Sequence, residues 1–366
     1  MATPPQSIVG NVVDIVGRRC FAAEVILADS HIAAITPMAK SSGRSEPHTF
    51  LLPGFIDAHV HIESSMLVPT EFARAAVVHG TVATVSDPHE IGNVLGVAGV
   101  QYMLDNAAHT PFKFFFGAPS CVPATVFETA GASISVAKVE ELLDDPRIGY
   151  LSEMMNFPGV LHGDAECLAK IKAAHDRGKP VDGHAPGLRG QDATRYIAAG
   201  ITTDHECYTK AEALDKIAAG CKISIREGSA ARNFDALSGL LGEYPQQTML
   251  CSDDKHPDEL LLGHINLLVR RAVAQGIDVF DVLQAACLNP TEHYKLSVGQ
   301  LRVGDPADLI EVDSLSEFNV QRTWIDGQLV ADSGVTTIPR VTPAVSNKFV
   351  ASEVEPHQLE VNQALG

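Results

Sequence analysis

The middle of this 366-residue chain alternates short apolar runs with helical stretches, and most of the apolar runs end at a His, Asp or Glu. Eight runs read as strands: "LLPGFIDAHVHI", "GTVATVSDPH", "FKFFFGAPS", "IGYLSEMM", "PVDGHAP", "ITTDHE", "CKISIREGS" and "QTMLCSDD". Helix candidates lie between them, among them "TEFARAAVVHG", "AECLAKIKAAHDRG", "DATRYIAAG" and "KAEALDKIAAG". Several close on a Gly, which suits a left-handed stop. Eight strand–helix units predict an α/β fold, a (β/α)8 TIM-like barrel over residues 51–299. A doubly wound open sheet is the competitor, but no Gly-rich dinucleotide loop follows the first strand of this segment.

The two flanks have another character. "IVGNVVDIVGRRCFAAEVILADSHIAAITP" and "GQLRVGDPADLIEVDSLSEFNVQRTWIDGQLV" alternate short apolar runs with turn residues, the pattern of antiparallel strands. Residues 1–50 and 300–345 are therefore expected to form one small β-sandwich domain from both chain ends. A polar linker, "MAKSSGRSEPHTF", follows the first flank, and residues 346–366 form a polar tail.

A 45% hydrophobic content is enough for one large core and a smaller satellite. Gly, Pro or charge interrupts every apolar run before the ~18 residues a membrane span requires. The formal charge of −18 argues against nucleic acid and anionic membranes as partners. It suits a neutral or cationic small molecule. "MATPPQSIVGN" lacks the basic end and apolar centre of a leader, so a cytoplasmic location is expected. The seven cysteines are odd in number, scattered and free of C-x-x-C pairs, which argues against a disulfide framework or a zinc knuckle.

In a barrel, the C-terminal strand ends share one face. His59, His61, His89, Glu153, His184, His205 and Asp253 are therefore expected at a common mouth. Side chains at i and i+2 of a strand point the same way, so His59 and His61 can grip one ion. Such a pair also occurs as a solvated strand end. The strand-end His184 and His205 add two imidazoles, which favours a divalent metal. Asp253, directly after "TMLCS", is the candidate acceptor of a proton from water, and Asp254 is expected to cap the next segment. Glu153 lies among Leu151, Met154, Met155 and Phe157, where a bare carboxylate needs a partner. It reads either as a bridge between two ions or as a proton donor with a raised pKa.

Weaker signals surround these. His89 and Glu90 either touch the metal site or cap the following helix. Arg226, Glu227 and Ser229 either hold substrate or form a surface ion pair. Ser120 or Cys121 lines the pocket; covalent catalysis by Cys121 is disfavoured, since no dedicated His partner is identifiable. His162, His175, His264 and His293 are expected at the surface.

Taken together, these blocks resemble the amidohydrolase superfamily in the form found in bacterial adenine deaminases. The resemblance runs through "PGFIDAHVHIESSM", "DPHEIGNVLG", "PSCVPAT", "EMMNFPGVL", "DGHAPGL", "DHECYT", "IREGSAARN" and "DDKHPDEL", and "LRVGDPADLIEVD" resembles the returning β segment. It implies two divalent ions, manganese or iron with zinc also supporting activity, and hydrolysis of adenine, a small purine base, to hypoxanthine and ammonia. Carried over by motif, His59, His61, His184, His205 and Asp253 are ligand positions, and Glu153 is the functional glutamate as bridge or acid. On this reading Asp253 and Glu153 move protons, and His205 orients the water or completes the second metal site. His89, Ser120, Arg226 and Glu227 are the expected substrate contacts, and a homo-oligomer is the expected assembly. Members of this group usually continue into a further C-terminal domain, so the sequence reads as a short form. The alternative is an amidohydrolase acting on another heterocycle or an N-acyl compound through the same activated water. A third reading is a metal-binding regulatory protein without turnover.

Overall fold

A computed structural model describes residues 5–38, 47–125, 127–346 and 350–360. The first flank forms β1 (Gln6–Asp14), β2 (Arg19–Ala28), β3 (His31–Pro37) and β4 (Phe50–Pro53). Eight strands follow: β5 (Phe55–Val60), β6 (Thr81–Ser86), β7 (Lys113–Ala118), β8 (Ile148–Met154), β9 (Val181–Gly183), β10 (Thr203–Asp204), β11 (Lys222–Arg226) and β12 (Thr248–Cys251). The second flank gives β13 (Leu309–Val312), β14 (Val320–Ile325), β15 (Gln328–Asp332) and β16 (Val335–Thr336).

β5 to β12 pair in chain order, each parallel to the next. A parallel bridge between Val60 and Asp253 brings the last strand back to the first. This is the expected barrel. Its strands are almost wholly buried, as parallel strands covered by helices must be. The helices end as the sequence implies: Asp164 and Thr209 cap Ala165–Asp176 and Lys210–Ala218, and Gly200 and Gly220 follow helices at φ 111° and 97°.

The other strands form a second sheet in the order β16-β15-β14-β13-β4-β1-β2-β3, so both chain ends meet in one sandwich-like layer, as expected. Its own core holds Ile8, Val12, Val25, Leu27, Ile32, Leu51, Leu309 and Trp324. The run read as the first barrel strand divides at Gly54. Phe50–Pro53 pairs with β1 and β13, and only Phe55–Val60 enters the barrel. A Cβ at Gly54 would lie 2.3 Å from Val82 Cγ1, so the crossing chain needs glycine. Leu52 and Phe55 pack with Ile310, Val312 and Phe318. Lys113 Nζ joins the barrel to the sheet, 2.7 Å from Asp308 and 2.8 Å from Asp326.

Most of the expected linker, residues 39–46, lies outside the described residues, as do 347–349 and 361–366 of the expected tail. Residues 350–360 are exposed. Among the described residues, no helix is long and apolar enough to cross a membrane.

Candidate metal centre

A register irregularity between Asp57 and Val60 breaks the pairing of β5 with β6 where the His motif begins. Such bulges re-aim side chains at strand ends. His59 Nε2 and His61 Nε2 stand 3.1 Å apart, both rings buried. His61 Nδ1 lies 3.2 Å from the Asp87 carbonyl and 3.2 Å from Glu90 Oε1, which fixes the ring and leaves Nε2 facing inward.

Glu153, from β8, is the hub. Its oxygens lie 2.7 Å from His184 Nδ1, 3.1 Å from His205 Nε2, 3.5 Å from His89 Nδ1, 3.7 Å from His61 Nε2 and 4.0 Å from His59 Nε2. The His59 and His205 rings stack at 4.0 Å between centroids. Asp253 Oδ1 is 3.5 Å from His59 Nε2 and 3.3 Å from His61 Nε2. Its backbone is left-handed, φ 55°, and its N–H donates to the His59 carbonyl at 2.9 Å. Asp254 accepts from Ser64 Oγ at 2.5 Å and keeps a carboxylate oxygen within 4.8 Å of His61 and Glu90, on the outer side of the cluster's His61 ring.

The structure thus brings His59, His61, His89, Glu153, His184, His205 and Asp253 together. Arg226 joins them: Nη1 donates to Glu206 Oε1 and Asp253 Oδ2, each at 2.5 Å. Asn233 holds the ends of β10 and β11, accepting from Arg226 N at 2.8 Å and donating to the His205 carbonyl at 3.0 Å. Two expected substrate contacts fall elsewhere. Ser120 Oγ is spent on the Glu153 carbonyl at 2.5 Å, so it buttresses the strand end. Glu227 pairs with Arg271 at 2.6 Å, outside the cluster. His264, expected at the surface, is buried and bonded to Asp57 at 2.8 Å.

Sequence reasoning missed Asp87 and Glu206. Asp87 Oδ2 faces His89 Nδ1 at 3.1 Å, and Glu206 Oε1 lies 3.4 Å from His184 Nδ1. The signal was present: Asp87 directly follows β6, and Glu206 directly follows His205.

The donor set fits divalent cations. Asp87, Glu153, Glu206 and Asp253 are buried carboxylates, and among the described residues Arg226 is the buried guanidinium that answers them. Buried carboxylates need compensating charge. Burial and the neighbouring His205 and His61 push the His59 pKa well down, whereas the carboxylates around them hold the His61 and His205 values up. Burial alone would raise the Glu153 carboxyl, but His184 and His205 outweigh it and hold it well below the usual range. The raised pKa that the proton-donor alternative calls for is not found, because imidazoles rather than apolar groups face the carboxylate. Ligand atoms of His59, His61 and Asp253, of His59, Glu153 and His205, and of His61, Asp87, His89 and Glu153 form groups that lie within 4.8 Å of one another.

A strand barrel carrying imidazoles and carboxylates on its C-terminal rim defines the class. A model of the amidohydrolase family matches residues 50–330, and the chain belongs to that family. It is 57% identical to an adenine deaminase of Salinibacter ruber over 355 residues, 97% of this chain and 64% of that protein. It is 57% identical over 339 residues to one of Sulfurovum sp., 93% of this chain and 63% of that protein. The chain thus spans less than two thirds of the length of these curated relatives. Among solved structures, a D-hydantoinase from Thermus sp. shares the fold, with TM-score 0.68 and 16% identity, over 90% of this chain and 96% of that one. A β-aspartyl dipeptidase from Fervidobacterium islandicum does so with TM-score 0.66 and 16% identity, over 92% and 100%.

Proposed function

We propose that this chain hydrolyses adenine to hypoxanthine and ammonia with two divalent ions, manganese, iron or zinc. The observation that carries this reading is the Glu153 hub, where five imidazoles from four strand ends meet one carboxylate beside Asp253. The substrate comes from the relatives that bear the name adenine deaminase. His59, His61, Glu153, His184, His205 and Asp253 would hold the ions. Ions bound there lower the pKa of water from ~15.7 toward about 7.

The remaining work belongs to side chains. Asp253 accepts a proton from the attacking water at Oδ1 while Arg226 fixes Oδ2. Water adds its oxygen to C6 of adenine as one proton moves to Asp253 and the C6–N1 π bond opens onto N1. Asp253 then returns that proton to the amino nitrogen, the bond from C6 to it breaks as the C6–N1 π bond re-forms, ammonia leaves, and the 6-hydroxy product tautomerises to hypoxanthine. His205, stacked on the His59 ring, would orient the water or complete the second metal site. Glu153, ionised among its imidazoles, would serve as a ligand rather than a proton donor. His89, half-buried at the rim, would meet the base.

The test is loss of adenine absorbance together with ammonia release, using protein reconstituted separately with manganese, iron and zinc. Turnover with at least one ion is expected. Hydrolysis of an amide or another heterocycle in a parallel panel, with adenine untouched, would overturn the substrate assignment.

A further inference from the structure

The seam between β12 and β5 closes the barrel, and among the described residues one isolated bridge, Val60 to Asp253, joins the two strands. Beside that bridge a carboxylate makes the connection. Asp57 Oδ1 accepts from Ser252 N at 2.9 Å, and Oδ2 accepts from the Ser252 hydroxyl and from His264 Nε2 at 2.8 Å. His264 Nδ1 pairs with the hydroxyl of Thr81, the first residue of β6, at 2.7 Å. Asp57, Ser252, His264 and Thr81 are all buried, at 0%, 2%, 2% and 0% exposure. The network therefore spans three strands and is shielded from competing water.

Its position in the sequence matters. Asp57 lies two residues before His59, and Ser252 lies one before Asp253. The segments that Asp57 ties together are those carrying the His pair and the proton acceptor. We infer that Asp57 is a positioning residue that sets the spacing of β5 and β12, and with it the grip of His59, His61 and Asp253 on an ion. Apolar packing would also hold the strands, but it is not directional. A carboxylate with four donors, the His59 N–H at 3.4 Å among them, fixes register and distance at once. Asn is a poorer substitute: it loses the charge, and its NH2 either meets the donors of Ser252 or forces His264 into its other tautomer, with Nδ1–H turned to Thr81.

This inference rests on the metal-binding part of the proposed function and not on the substrate. The test uses the whole chain, with Mn2+ and Zn2+ alone as probes. Metal retained after dialysis against graded chelator is measured on the parent, Asp57→Asn, Ser252→Ala, His264→Ala and His264→Gln. Circular dichroism and thermal melting are recorded on the same samples. Folded Asp57→Asn is expected to hold metal about 10–100-fold more weakly, the usual effect of losing a partner behind a ligand. Ser252→Ala removes one hydroxyl and keeps the chain folded if Asp57→Asn does not; its loss should be smaller, about fivefold. His264→Gln, whose amide can donate to Oδ2, should recover part of what His264→Ala loses. Unchanged retention in the folded variants, even with a lowered melting temperature, would reduce Asp57 to a structural role and overturn the inference. A parent that takes up neither ion overturns the metal reading itself, and this inference with it.

Discussion

Glu153 and Asp253 face overlapping sets of imidazoles, yet their surroundings differ. Glu153 is enclosed by His184, His205 and His89, whereas Asp253 keeps one oxygen for the His pair and gives the other to Arg226. Asp253→Asn should lower kcat for the proposed deamination by about 10²–10⁴-fold, the usual worth of a placed acid or base. Its metal content, measured by elemental analysis, should stay nearer the parent than that of His59→Ala/His61→Ala. His264→Ala strips a donor from a fully buried carboxylate and should cost about 1.5–3 kcal/mol in denaturant unfolding. The ligand candidates were legible because each ends an apolar run, a local signal. His264 was not: it follows Gly263 at a helix start, and its burial comes from Thr81 and Asp57, distant in sequence. Glu227 misled for the opposite reason, since it follows a strand but pairs with Arg271.

At the scale of elements, β9 and β10 are very short, and their close approach depends on Gly183. A Cβ there would lie 2.5 Å from the Thr203 carbonyl oxygen and 2.5 Å from Ile201 Cγ2. Backbone cannot yield as a side-chain tip can. Gly183→Ala should push the strands apart, destabilise the fold by about 1–3 kcal/mol and displace His184 and His205. Misplacement on the ångström scale costs about 10²-fold in rate; kcat set beside a denaturation curve for the same sample separates the two effects. The eight barrel strands and the main helices were legible from apolar period and terminal glycines. The break at Gly54 was not, because "LLPGFIDAHVHI" is apolar throughout and only the two partner sheets divide it.

At the scale of the whole molecule, the ions would bind the folded state and not the unfolded chain, so their removal should register as lost stability. At free metal about 100-fold above Kd the linkage is worth about 2.7 kcal/mol. Chelation should therefore lower the melting temperature by several degrees, and manganese or zinc should restore it in a thermal-shift measurement; an unmoved melt would count against a resident ion. That both chain ends share one sheet was readable from two similar flanks. How that sheet meets the barrel, through Leu52, Phe55, Ile310 and the Lys113 ion pairs, was not, since those contacts join residues far apart in the chain.

The left-handed turn at Asp253 has a consequence for how such a molecule can change. One peptide both locks the ring of strands and presents the acid, so architecture and reactivity cannot drift apart at that point. Asn and Asp tolerate this conformation better than other side chains, which leaves few substitutes able to shut the ring, and none of them but aspartate keeps the charge.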